Sequence, residues 1–181
     1  MSLDHALLVS LLEKPSSGYA LARRFDRSIG HFWQATHQQI YRVLARMEEA
    51  GWVKGRLKAG EAAPDRREFT VTALGRRELS RWLAEPTEPQ GYRDALMVKL
   101  RGVAFDAPGR LVEEVERRRA VHGERLARYR DIEARDFSGP LDRQRALQYQ
   151  VLKSGIRFEQ TWTEWCAETL DLLRDLERRD R

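Results

Sequence analysis

Gln38, Tyr41 and Arg42 can all read base edges, and they share one arc of a predicted helix. Shortly after them come five cations, Lys54, Arg56, Lys58, Arg66 and Arg67. A glutamine amide pairs in bidentate fashion with adenine and a guanidinium with guanine, each worth about 1–3 kcal/mol of discrimination. Lysine and arginine on a hairpin suit phosphates instead, giving affinity and salt sensitivity rather than sequence choice. A helix enters the major groove with its N-terminal residues leading, which adds Thr36, His37 and Gln39 to the candidates. Gln39 is the weakest of these, because Thr36 and Gln39 also spell a T-x-x-Q capping box. At the wing, Lys58, Arg66 and Arg67 are the phosphate candidates, and alternation presents Arg66 better than Arg67, which shares strand parity with Phe69. Tyr19, just after a helix start, can either donate its hydroxyl to a phosphate or serve as a core aromatic with one polar end.

Other chemistries lack their residues. The four histidines (His5, His31, His37, His122) show no H-E-x-x-H spacing, and there is no P-loop, G-x-G-x-x-G or G-x-S-x-G. The single cysteine, Cys166, can form neither an intrachain disulfide nor a metal cluster, and beside Trp162 and Trp165 it reads as a small buried apolar residue. No enzyme activity, cofactor or metal is expected. The 181 residues are 41% hydrophobic and 34% charged, a globular composition, with a net charge of +5. That charge admits a polyanionic partner without requiring one, since Arg117, Arg118 and Arg119 lie far from the candidate helix. No apolar run approaches the roughly 18 residues of a membrane span, and the N-terminus does not read as a secretion signal. The expectation is a soluble, cytoplasmic chain.

The elements that must position these residues follow from periodicity. A first helix is predicted over Leu3 to Lys14, stopped by Pro15. Its apolar side, Leu7 included, is broad enough to expect more than one neighbour, a partner subunit among them. A second runs from Gly18 to about Ile29, ended by Gly30, and a third from Thr36 to Ala50, ended by Gly51. Ile40, Val43, Leu44 and Met47 form the third helix's inward arc. From Trp52 the period falls to 2, giving two strands that end at Lys58 and Val71 around a loop from Ala59 to Asp65, with Val53, Leu57, Phe69 and Val71 inward. A fourth helix (Ala73 to Ala84) precedes a Pro-containing break from Glu85 to Pro89. The predicted fold is mainly α: a winged helix-turn-helix with a two-stranded wing over 1–86, then an all-helical dimerisation domain over 90–181. In the latter, helices are expected over Tyr92 to Gly102, Ala107 to Ala134 and Leu141 to the end. On the last, Phe158, Trp162, Trp165, Thr169, Leu172 and Leu176 form a coiled-coil-like seam predicted to meet a second copy of the chain.

Ser17-Gly18-Tyr19-Ala20-Leu21-Ala22, Gln39 through Gly51, Pro64-Asp65-Arg66-Arg67 and Thr72-Ala73-Leu74-Gly75-Arg76 closely resemble the PadR family of bacterial transcription regulators. Arg93-Asp94-Ala95-Leu96-Met97-Val98-Lys99-Leu100 and the helical tail resemble its larger subgroup. The resemblance implies a homodimer, usually a repressor, on a two-fold symmetric operator of double-stranded DNA, contacted by Gln38, Tyr41 and Arg42 and by the wing at Arg66 and Arg67. Some members of that family release DNA on binding small aromatic effectors such as phenolic acids. The rival readings are a winged helix used for protein–protein contact and an aromatic-ligand carrier built on the tryptophan seam without DNA binding.

Overall fold

The structure, a computed structural model, describes residues 3–27, 35–58, 66–88, 91, 93–105 and 109–179. The predicted helix end at Ile29 and Gly30, His31, the loop from Ala59 to Asp65, and Pro89, Tyr92 and Ala107 lie outside the described residues. The chain divides into two compact units, Met1–Gln90 and Gly91–Arg181.

In the first unit, helix α1 (Leu3–Glu13) leads into strand β1 (Ser16–Ser17), helices α2 (Gly18–Asp26) and α3 (His37–Glu49), strands β2 (Val53–Lys58) and β3 (Arg66–Val71), and helix α4 (Ala73–Leu83). Helices α2, α3 and α4 carry hydroxyl N-caps, which satisfy backbone N–H groups that have no partner inside the helix. Ser17 accepts from the Ala20 amide, Thr36 from Gln39 and Thr72 from Gly75. Gly51 ends α3 with φ of 72°, a left-handed conformation that L side chains rarely adopt. The core gathers Leu7, Leu8 and Leu11 from α1, Leu21, Ala22 and Phe25 from α2, and Ile40, Leu44 and Met47 from α3, with Val53, Phe69 and Leu79. Each fully buried large apolar side chain contributes about 1.5–3 kcal/mol, so α3 is anchored by its inner arc while its outer arc stays free.

Three findings differ from the sequence expectations here. The sheet has three antiparallel strands in the order β1-β3-β2, because Ser16 and Ser17 pair with Phe69 and Glu68. A two-residue strand shows no period, so alternation could not reveal it. Leu57, expected inward, is 79% exposed, because beyond Gly55 the hairpin projects past the helices that could cover it. Leu7 is 0% exposed within its own unit's core, which leaves it no surface to offer a partner subunit.

The second unit is helical: α5 (Ala95–Gly102), a 3-10 turn (Val103–Phe105), α6 (Gly109–Asp136) and α7 (Arg143–Arg179). Helices α6 and α7 pack antiparallel, with Glu116 meeting Arg174, His122 meeting Glu159, and Tyr149 donating to Glu133. Their core holds Leu96, Leu111, Val115, Cys166, Leu170 and Leu173. Burial pushes the Cys166 thiol above its ordinary range, keeping it protonated.

Only part of the predicted seam faces outward. The stripe of α7 buried within its own chain includes Ile156, Glu159, Cys166, Thr169, Leu170 and Leu173, so Thr169 is turned inward. Trp162 and Trp165 are half-buried against that core, and Trp162 stacks on His122 at 5.0 Å. Phe158 and Leu172, at 51% and 55% exposure, stay open, joined by Leu147 and Val151. At 100° per residue these four fall within an arc of about 60°, roughly a quarter turn from the buried stripe.

Candidate nucleic-acid interface

Helix α3 presents Gln38, Arg42, Ala45 and Glu49 to solvent along the arc opposite Ile40, Leu44 and Met47, with Tyr41 and Gln39 exposed on its two shoulders. Its start is rigidly built. The Gln39 amide donates to Thr36 Oγ1 at 3.2 Å, and the Thr36 amide donates to Gln39 Oε1 at 2.8 Å, completing the capping box. Gln39 is thereby engaged in holding the helix end. His37 Nε2 lies 2.7 Å from Asp26 Oδ2 and ties the start of α3 to the end of α2. Tyr41 is 45% exposed, with its ring beside Gly18. Gln38 and Arg42 are exposed, and among the described residues Arg42 has no acidic partner. One turn on from Arg42, Arg46 donates to Asp4 at 2.5 Å and fixes α3 to α1.

Tyr19 stands on the first turn of α2, mostly exposed, with the Arg23 guanidinium 5.7 Å from its ring centroid. A phenol beside a cation on an open surface fits a phosphate contact, and the core-aromatic alternative is excluded by its exposure. The wing runs beside α3. Lys54, Arg56 and Lys58 are exposed on β2, and Lys58 lies 3.5 Å from Glu68 of the neighbouring strand. Arg67 donates to Glu48 at 2.8 Å. Arg66 pairs with Lys58 in the strand register, and its side chain lies outside what the structure describes. Positive charge therefore flanks α3 on two sides, from Arg23 and from β2, around a face that carries amide, phenol and guanidinium groups.

A transcriptional regulator of Mycobacterium tuberculosis, named "Probable transcriptional regulator Rv1176c", is 44% identical to this chain over 97% of it and 99% of the relative. The family model described as the transcriptional regulator PadR-like family matches residues 7–81.

The chain belongs to the PadR-like family of transcriptional regulators.

A second family model, the virulence activator alpha C-terminal domain, matches residues 92–174. Among solved structures, the Vibrio cholerae virulence activator AphA superposes with a TM-score of 0.82 at 30% identity, covering 97% of this chain and 99% of that one. The negative transcriptional regulator PadR of Bacillus subtilis is 24% identical over 94% of this chain and 97% of its own length. Its structure in complex with operator DNA superposes with a TM-score of 0.79. The same regulator has been solved with p-coumaric acid. Family membership makes this chain a regulator of transcription rather than an enzyme. Among the described residues, no helix is long and apolar enough to cross a membrane.

Two supports of this PadR-like surface escaped the sequence reading. Arg24, half-buried under α1, donates to the Ser10 carbonyl at 2.5 Å and the Lys14 carbonyl at 2.8 Å, and also to the Ser16 hydroxyl. It satisfies carbonyls at the end of α1 and fixes the approach to α2, and burial lowers its pKa. Glu48, on the last turn of α3, accepts from the wing. Arg24 showed only as one of several arginines and Glu48 as one of two glutamates on a solvated face, with no period to mark either.

Proposed function

We propose that this chain acts as a homodimer on a two-fold symmetric operator, reading bases with Gln38, Tyr41 and Arg42 and gripping phosphates with Tyr19, Lys54, Arg56 and Lys58. The observation that carries this is the exposed arc of α3, pinned by its capping box and its buried Ile40, Leu44 and Met47, beside a hairpin whose cations face solvent. One winged helix reaches few phosphates, and tight binding at cellular salt calls for two. In a dimer the two α3 helices would enter major grooves one turn apart, about 34 Å. Repression follows from occupancy: a dimer seated on a promoter excludes polymerase without further contacts, as the naming of PadR as a negative regulator supports. The p-coumaric acid complex of PadR supports a small aromatic acid as the releasing effector.

The test is fluorescence anisotropy with the gene's own upstream DNA and an unrelated duplex, across salt concentrations. Arg42→Ala should cut the preference for the operator by roughly 5- to 150-fold per half-site, corresponding to about 1–3 kcal/mol. Lys54→Ala with Arg56→Ala should weaken both duplexes alike and reduce the salt slope by about 0.9 for each phosphate no longer neutralised. Equal losses on both duplexes for Arg42→Ala would show that α3 is not the reading helix.

A further inference from the structure

Glu48 joins the reading helix to both strands of the wing through one oxygen. Its Oε1 accepts from the Gly55 backbone amide of β2 at 2.9 Å and from Arg67 Nη2 of β3 at 2.8 Å. The Arg67 guanidinium also lies 5.5 Å from the centroid of the Phe69 ring, which belongs to the core. Gly55 sits opposite Phe69 in the strand register. A Cβ there would stand 2.4 Å from Arg67 Nε and 3.0 Å from both Glu48 Oε1 and Phe69 Cε1. The three residues fit together only because position 55 has no side chain.

We infer that Glu48, Gly55 and Arg67 form a latch that sets the wing's attitude to α3, so that Glu48 is a positioning residue and Arg67 holds the wing instead of gripping a phosphate. The inference rests on the DNA-reading function proposed above and deepens it. Among the described residues, the hairpin beyond Gly55 has no core beneath it, since Arg56, Leu57 and Lys58 are all exposed. A two-stranded ribbon alone is marginally stable, so its tip needs a tie to stay in one place. The latch supplies that tie at the helix end nearest the wing, and it keeps the β2 cations in register with the groove that Arg42 reads.

The sign of the effect separates this from simple electrostatics. A carboxylate beside a duplex repels phosphates, so its removal by itself should tighten DNA binding. The latch demands the reverse. Glu48→Ala should weaken operator binding by about five- to twentyfold, the effect of a partly exposed ion pair counted once per subunit. It should also speed hydrogen exchange of the Gly55 amide while the Leu11 and Leu44 amides keep their protection, which shows the core intact. Glu48→Gln, retaining the acceptor for Gly55 without the charge, should fall between. Arg67→Ala should weaken binding with an unchanged salt slope, and the double substitution should be no worse than the worse single one. Operator binding by Glu48→Ala as tight as or tighter than wild type overturns the latch. So does a fall in salt slope of about 0.9 per subunit for Arg67→Ala. Were the wild type to ignore every duplex, the DNA-reading function would fall instead, and the Gly55 exchange rate in Glu48→Ala would decide the latch without DNA.

Discussion

Replacing Phe158 by Asp tests whether two copies of the chain meet along α7. Phe158 leaves 51% of its surface open within its own subunit. A buried phenylalanine covers about 150–250 Å², so roughly 100 Å² remains for a partner. At about 25 cal/mol per Å² that area is worth some 2.5 kcal/mol. A two-fold interface counts it twice, about 5 kcal/mol, which corresponds to a rise of about 10³- to 10⁴-fold in the dimer Kd. An unpaired carboxylate at that place adds a desolvation cost on top. Leu172→Asp, at 55% exposure on the same arc, should act similarly. Trp162 would be a poor probe, because its ring stacks on His122 at 5.0 Å and packs against its own unit's core. The measurement is sedimentation velocity over a wide concentration range, with circular dichroism showing that each variant stays folded. Both variants should sediment as folded monomers and lose tight operator binding together. A dimer that persists in both at every concentration would refute the pairing along this stripe.

Gly75→Ala should destabilise the first unit, although alanine is normally better in a helix by about 1 kcal/mol. The added Cβ would sit 2.2 Å from the Trp52 carbonyl oxygen, and overpacking against backbone costs about 1–3 kcal/mol. Urea unfolding should show a lower midpoint, and a raised one would show that the contact relaxes freely. In acid, Glu78 should matter. Hydrogen bonds from Arg81 first and His5 second hold its carboxyl at about 2 instead of 4.5. A depressed carboxyl adds stability above its unfolded pKa and loses it as pH falls through the folded one, so the loss should spread from about pH 4.5 down to 2. Glu78→Gln should flatten the thermal midpoint across that window, and an unchanged acid slope would show that Glu78 plays no part in it.

Local structure and the arc of residues that can read bases follow from neighbours in the chain. The capping box at Thr36 and Gln39, the stop at Gly51, the switch of period at Trp52 and the inward arc of Ile40, Leu44 and Met47 are short-range features, set by backbone chemistry and by the spacing of apolar residues. Gln38, Tyr41 and Arg42 were legible as an outward face for the same reason. How exposed side chains are divided among competing partners depends instead on the packed fold. Periodicity gave α7 one seam, whereas packing against α6 claims a second stripe and draws Trp162 and Trp165 partly inward. Alternation placed Leu57 inside, but none of the described helices of its own unit covers it. Nothing local distinguishes Arg67, paired with Glu48, from Arg42, which has no acidic partner among the described residues. Such pairings join residues distant in the chain, and their identity depends on which surfaces the fold brings within a few ångströms.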